Sequence, residues 1–582
     1  MTIDCASRCI PSLFKKSTRV KAQRSAWFHA ALLAIVIHLQ APLASAITFE
    51  NWQAVTLGAG SNRSDNWDGD LWDDLAEFAL GSDPSSGLPV VYGTLAPAGL
   101  TIATDTNGSI VPSVWLPSNR ENIDVSLETS VDLVNWSDSG LIPSDTNYPT
   151  AVIRSWTITN LPTGFVRLRI VLGASATTVT APMGWSSVSF SPAIQTLGLT
   201  LQTPALYVGS AYDISGTTLS LYPTERSTVL DNLPVNRELY IEFTEGNAEG
   251  HCITIDLSQS TTSALALDLG HTMNTTASLP PNIRGDRFVI RARETLNEVF
   301  PKEWFSGGLQ PTTSDRIERW NGTEWTTWWL LDLRPGSSLY RWVQNGDSTL
   351  AKRDDTPLSS MEGYMVRRLQ PPPILHLEIG DVRISRRRYG LPGGSSFVSG
   401  VYPIDASPVQ MGFTVGNGFT ATYSSTTASR FNVWSGDSTP EPYPAWVGHW
   451  LFGASSPYWV KTGDGTLTSV NHSPLLKANR GFFFQGPTIT PAPSYLAPMP
   501  PNPASFELPT NPLRDTDNDG LPDSWEMSVY GNLSNNGLTD SDLDSVPDQI
   551  EHLLLTNPNL ICEVDPSTSS TTLFRPVTDF QP

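Results

Sequence analysis

One twelve-residue run, Asp515-Thr-Asp-Asn-Asp-Gly-Leu-Pro-Asp-Ser-Trp-Glu526, constrains how the C-terminal part of this chain can fold more tightly than any other stretch. Carboxylates stand at positions 1, 3, 5, 9 and 12, and a glycine at position 6. Like charges this close repel one another and oppose a compact turn unless something neutralises them. A hard cation of the Ca²⁺ type does so, because it takes about 6–8 oxygen ligands, which this spacing delivers from one short loop. On that reading Asp515, Asp517 and Asp519 coordinate through their side chains and Leu521 through its carbonyl. Asp523 acts directly or through water, and Glu526 closes the site with two oxygens from the following helix. Gly520 permits the sharp turn.

The template recurs twice. Asp540, Asp542, Asp544, Val546 (carbonyl), Asp548 and Glu551 repeat it with Ser545 in the glycine place. Near the other end Asn66, Asp68, Asp70, Trp72 (carbonyl), Asp74 and Glu77 fit again, with Leu71 there. A non-glycine residue at that position faces a less comfortable turn. Acidic runs usually face water as solvated surface. A merely solvated run, however, has no reason to alternate its acids and then place Glu at position 12. Ca²⁺ is therefore the expected cofactor, linking binding to folding.

At 582 residues the chain is long enough for several domains. Its 43 glycines and 47 prolines suit many turns, while 39% hydrophobic and 9% aromatic content exclude general disorder. Frequent Ser, Thr and Val predict short strands. The expected fold class is mainly β: multidomain antiparallel sandwiches or barrels, with short EF-hand-like calcium loops and few short helices. A net charge of −21 argues against nucleic acid as a partner.

Residues 1–46 read as an export signal. A basic region (Arg8, Lys15, Lys16, Arg19, Lys21, Arg24) precedes the apolar run from Ala30 to Ile37, and Ala44-Ser45-Ala46 is a small-residue cleavage pattern. The apolar run is well short of the roughly 20 residues of a spanning helix, so no transmembrane segment is expected in the mature chain. The localisation implied is secreted or cell surface. Cys252 and Cys562 remain after the leader, and sequence alone leaves their pairing open.

The organisation predicted is a calcium-loop-like module at 47–85, a small β-sandwich at 86–173 and a central β domain at 185–486. A Pro-rich linker at 487–512, paired calcium loops at 513–560 and a tail at 561–582 follow. Val166, Leu168, Ile170 and Leu172 alternate as a half-buried strand should. The central domain contains an internal repeat, about 285–370 and 400–486. Asp315-Arg-Ile-Glu-Arg-Trp320-Asn-Gly322 matches Ser429-Arg-Phe-Asn-Val-Trp434-Ser-Gly436, and Tyr340-Arg-Trp-Val matches Tyr458-Trp-Val-Lys.

These features resemble a family of uncharacterised secreted, β-rich proteins of Verrucomicrobial-type bacteria. The resemblance rests on Asp68-Gly-Asp70 with Glu77-Phe-Ala-Leu-Gly-Ser-Asp-Pro84, on Ser130-Val-Asp-Leu-Val-Asn-Trp136 with Val166-Arg-Leu-Arg169, and on Gly285-Asp-Arg-Phe-Val-Ile-Arg291 with Leu296-Asn-Glu-Val-Phe-Pro301. The C-terminal loop pair is similar to thrombospondin type-3 and dockerin calcium repeats. The resemblance implies secretion and modular architecture and brings no activity with it.

Signatures of chemistry are otherwise sparse. His251, His271, His376, His449, His472 and His552 form no His-x-x-x-His pattern, and neither a Gly-x-Ser-x-Gly elbow nor a phosphate-cradling loop occurs. Tryptophans cluster in the central repeat, with Trp325, Trp328, Trp446 and Trp450 as candidates for stacking on sugar rings. Large aromatics more often build β-cores. The function expected is that of an exported calcium-binding, non-catalytic structural, adhesive or interaction protein. A glycan-binding protein or accessory module using these tryptophans is the alternative, and a secreted hydrolase the third reading. The partners implied are an extracellular polysaccharide or another surface protein.

Overall fold

The computed structural model describes residues 47–56, 72–82, 99–159, 163–174, 176–221, 233–261, 263–271, 278–333, 340–360, 362–390, 394–437, 444–486, 494–498, 511–544, 546–554, 558–559, 562–563 and 575–576. The fold is mainly β, built from several antiparallel sheets with few short helices. The predicted leader at 1–46 lies outside the described residues. Among the described residues no helix is long and apolar enough to cross a membrane.

The N-terminal sandwich is larger than its predicted 86–173. Strands β1 (Leu100–Thr104), β2 (Ile110–Pro117), β5 (Ser144–Asn147) and β6 (Ala151–Ser155) form one sheet in the order β1-β2-β6-β5. The second contains β3 (Ile123–Ser130), β4 (Ser137–Asp138), β7 (Thr163–Leu172), β8 (Ala176–Val179), β9 (Met183–Phe190) and an edge strand from far along the chain, Ile374–Asp381. Val125 pairs with Ile170 and Leu127 with Leu168. These four join Val114, Trp185, Phe49 and Phe78 in one core. That returning strand could not be placed from sequence, because an edge strand's pairing is decided by tertiary geometry rather than by its own pattern.

β10 (Ile194–Gly198) opens the first central repeat, and a complete second domain interrupts it. β11 (Tyr207–Ser215), β12 (Thr218–Leu221), β13 (Leu239–Phe243), β14 (Cys252–Ile255), β15 (Ala264–Ala266) and β16 (Arg287–Ala292) run in the order β14-β13-β16-β11-β12-β15. A register shift between Ala211 and Asp213 bends β11. A bridge from Ile255 to Leu267, with Asp256 N–H donating to Ala266 O at 2.9 Å, then joins the two ends into a barrel. Ile241, Phe243, Ile253, Phe288 and Ile290 fill it. Cys252 is a buried thiol there, its pKa pushed up by burial.

After the barrel the repeat resumes with β17 (Arg316–Trp320), β18 (Trp325–Asp332), β19 (Tyr340–Gln344) and β20 (Gly363–Arg367), giving the sheet order β10-β20-β17-β18-β19. β21 (Ile374–Asp381) returns to the sandwich. The second repeat has the same order, β23-β27-β24-β25-β26, from β23 (Gly394–Ser399), β24 (Arg430–Trp434), β25 (Trp446–Phe452), β26 (Tyr458–Lys461) and β27 (Gly481–Gly486). The repeats therefore begin at residues 194 and 394, not 285 and 400. Within the Pro-rich stretch, β28 (Ser494–Ala497) pairs with β22 (Arg387–Gly390), so that segment is not linker throughout.

The two repeats exchange equivalent tryptophans. Trp320 Nε1–H donates to Ser395 O in the second repeat at 2.8 Å, and Trp434 Nε1–H donates to Ile194 O in the first at 2.8 Å. Between them Trp320, Trp325, Phe397, Trp446 and Phe483 pack with ring centroids 4.9–5.8 Å apart. Gly363 makes this approach possible: a Cβ there would sit 2.9 Å from the Phe397 ring.

Candidate metal centre

The two C-terminal acidic loops share several hydrogen bonds, position for position. Asp519 N–H donates to Asp515 Oδ1 at 3.1 Å, as Asp544 N–H does to Asp540 Oδ1 at 3.1 Å. Leu521 N–H donates to Asp519 Oδ1 at 2.8 Å, and Val546 N–H to Asp544 Oδ1 at 2.8 Å. Each loop turns through a left-handed residue at position 4, Asn518 (φ 60°) and Leu543 (φ 65°). Short helices follow, Asp523–Val529 and Asp548–Leu554.

Position 9 behaves identically in both. Asp523 accepts Thr516 N–H at 2.7 Å and the Thr516 hydroxyl, and Asp548 accepts Ser541 N–H at 2.9 Å and the Ser541 hydroxyl at 2.7 Å. Both oxygens of each are thus engaged in shaping the loop. Asp515, Asp517 and Asp519 bring one carboxylate oxygen each within 4.8 Å of one another, and Asp540, Asp542 and Asp544 do the same. Either cluster could hold a metal ion.

Glu526 is the most telling residue of the first loop. It is 0% exposed, and neither carboxylate oxygen has a hydrogen-bond partner. Burial, and then the charges of Asp519, Asp517, Asp523 and Asp515, push its pKa up to about 7. A carboxylate buried without any donor is costly unless something absent from the protein satisfies it. Asp515 is pushed up to about 6, again chiefly by burial, with Gly520 and Asp519 amides and Arg284 opposing. The equivalent Glu551 is also 0% exposed, and Asp542 is raised by burial.

The loops interlock. Gly537 N–H, from the segment between them, donates to Asp519 Oδ2 at 2.7 Å, and Gln549 N–H donates to Gly537 O at 3.0 Å. Gly520 (φ 99°) meets two demands together, since a Cβ there would lie 2.3 Å from Gln549 Nε2. Trp525 packs on His552 at 5.1 Å.

At the N-terminal end Asn66, Asp68 and Asp70 lie outside the described residues. Trp72 is half-buried, and Asp74 and Glu77 are 0% exposed on the helix Asp74–Leu80. Gln53 Nε2 donates to Asp74 Oδ2 at 3.3 Å, and the Ser82 hydroxyl to Glu77 Oε1 at 3.2 Å. Asp73, which sequence reasoning passed over, caps this helix through Ala76 N–H and also accepts the Thr178 hydroxyl at 2.7 Å. An Asp immediately before a helical apolar pattern is the signal that could have marked it.

The four candidate tryptophans divide between two environments. Trp328 and Trp450 are 3% and 8% exposed, so their faces pack inside their own repeats. Trp325 and Trp446 are half-buried and both edge against Phe397 and Phe483 between the repeats. No family model, curated protein or solved structure matches the chain.

Proposed function

We propose that the chain is an exported, non-catalytic structural or interaction protein braced by Ca²⁺ at its C-terminal loop pair. Glu526 carries the reading: a fully buried carboxylate with two unpartnered oxygens beside three converging aspartates. The ligand set would be Asp515, Asp517, Asp519, the Leu521 carbonyl and Glu526, with Asp523 acting through water. Asp540, Asp542, Asp544, Val546, Asp548 and Glu551 would serve the second site in the same roles. An all-oxygen, carboxylate-rich set on a single loop suits Ca²⁺ better than Mg²⁺, which keeps several waters and demands near-octahedral geometry. Asn66, Asp68, Asp70, Trp72, Asp74 and Glu77 would form a third site on the same template. The kinship to secreted β-rich proteins and to thrombospondin type-3 repeats belongs to this proposal, as does secretion.

Calorimetry on the full chain tests it. Two Ca²⁺ ions should bind at the C-terminal pair, with heat lost from one site in Glu526→Ala and in Asp517→Ala. Absence of any binding heat, together with a melting temperature indifferent to chelator, would sink the proposal.

A further inference from the structure

We propose that the first loop is a calcium-controlled clasp, in which occupancy of the metal site holds the C-terminal pair docked on the inserted barrel. The proposal rests on the Ca²⁺ reading above and concerns what binding does to the rest of the molecule. The loop's entry segment lies against the barrel turn that precedes β16. Asn511 is 4% exposed, donates from Nδ2 to Gly285 O at 2.7 Å, and accepts Leu513 N–H on Oδ1 at 3.0 Å. The Ser210 hydroxyl of β11 reaches the same Oδ1 at 3.5 Å.

Gly285 sits at the centre of the contact. Its φ is 71°, and a Cβ there would lie 2.1 Å from Leu513 O and 2.7 Å from Arg514 Cα. The two segments therefore meet backbone to backbone, an approach only glycine allows. Two ion pairs cross over this point in opposite directions. Arg514 Nη1 from the loop lies 3.6 Å from Asp286 Oδ1 of the barrel, and Arg284 Nε of the barrel lies 3.7 Å from Asp515 Oδ2 of the loop. Arg284 is itself held over the Tyr212 ring at 4.5 Å.

Asp515 thus has two duties, as the position 1 ligand and as the anchor for Arg284. Metal-free, the loop crowds Asp515 against Asp517, Asp519, Asp523 and Glu526, and spreading the loop relieves that repulsion. Spreading also moves Leu513, Arg514 and Asp515, whose fit over Gly285 tolerates almost no displacement. A bound cation removes the reason to spread and so favours the docked arrangement. Linkage makes the effect reciprocal: the factor by which bound Ca²⁺ favours docking is the factor by which docking tightens Ca²⁺ binding.

The test uses the full chain with the second loop silenced by Asp542→Ala and the N-terminal loop by Asp68→Ala, so that only the first C-terminal loop reports. Hydrogen exchange at the Ala211 and Gly285 amides, which bond to Asp286 O and Ala211 O in the seated turn, is followed with Ca²⁺ and with chelator. Chelation should speed both by about tenfold while β13 amides stay unchanged. Gly285→Ala, which alters no charge, should weaken Ca²⁺ binding by about tenfold. Asn511→Ala should do the same without touching the barrel, which covers any folding defect of the first variant. Tight Ca²⁺ binding with unchanged exchange, or unchanged affinity in Asn511→Ala, would overturn the clasp and leave the Ca²⁺ reading standing. No binding by the parent protein would overturn both.

Discussion

Two duplications stand side by side in this molecule, and opposite forces hold them. The central repeats associate through rings: Trp320, Trp325, Phe397, Trp446 and Phe483 interlock, and each repeat's tryptophan donates to the other's backbone. Each repeat also buries its own anchor, Trp342 at 0% exposure donating to Phe300 O and Trp459 at 1% donating to Phe413 O. The acidic loops match each other as closely in backbone geometry, yet their closest side chains are carboxylates. Burial of apolar surface stabilises the first pair unaided. The second gathers like charge, which opposes its own compact geometry. Duplication copies a shape. What the copies require from solution depends on which side chains that shape brings together.

The largest effect should come from emptying the aromatic anchors. Trp342→Ala and Trp459→Ala should each cost about 3–5 kcal/mol, to similar extents and whether or not chelator is present, read by urea unfolding. If chelator changed the loss, the central pair would share the metal dependence proposed for the loops and the contrast would collapse. Next comes Ca²⁺ itself. At a hundredfold excess over Kd it should stabilise each loop by about 2.7 kcal/mol, and Glu526→Gln should forfeit most of that at the first site. Thermal melts with and without Ca²⁺ check both.

Acid should move the two regions in opposite directions. Burial holds His376 and His449 down at about 4. Between there and the unfolded value of about 6.5 the unfolded chain binds more protons. Stability around these histidines is therefore lost as pH falls through that window. In the metal-free loop, Glu526 is pushed up to about 7 from an ordinary 4.5. There the folded state binds more protons, so stability is lost as pH rises from about 4.5 to about 7. Hydrogen exchange in chelator at pH 5 and pH 7.5 should show the loop better protected at the lower pH. The segments around His376 and His449 should be better protected at the higher one. Parallel movement of the two regions contradicts this account.

The smallest effect separates the loops from each other. Leu543 occupies a left-handed turn that Asn518 fills in the first loop. A branched side chain there costs about 1–2 kcal/mol, and Asn tolerates the conformation better. Leu543→Asn should tighten the second site several-fold, and Asn518→Leu should weaken the first, both read by calorimetry. Equal affinities before and after the exchange would remove position 4 as the source of any difference.

Much of the candidate site was legible because the residues that could hold a metal are contiguous. Twelve residues at fixed spacing state both the loop and the helix that closes it, and each helix begins at position 9, Asp523 and Asp548. Sequence placed the loops' discomfort at position 6, on Ser545. Ser545 lies outside the described residues, and the described backbone shows a left-handed leucine at position 4. That misfit is a property of φ, which a carboxylate pattern does not encode. The β class was equally legible, since strands such as Val166–Leu172 declare themselves by alternation. The barrel inside the first repeat was not. Its strands look like any others, and a bend at Ala211, followed by closure between Ile255 and Leu267, made them a separate body. The returning strand Ile374–Asp381 was hidden for the same reason.

By itself the sequence determined local matters: strand alternation, the acidic spacing, and the glycine that lets a loop turn sharply. These follow from dihedral preference and short-range charge, which act between residues near in the chain. Only the tertiary structure decided that Glu526 is buried without a donor, that Trp320 and Trp434 change places across the repeats, and that Asp515 meets a barrel arginine over Gly285. Each depends on which distant segments come to rest together, and that is settled by packing across the whole molecule rather than by any one stretch of it.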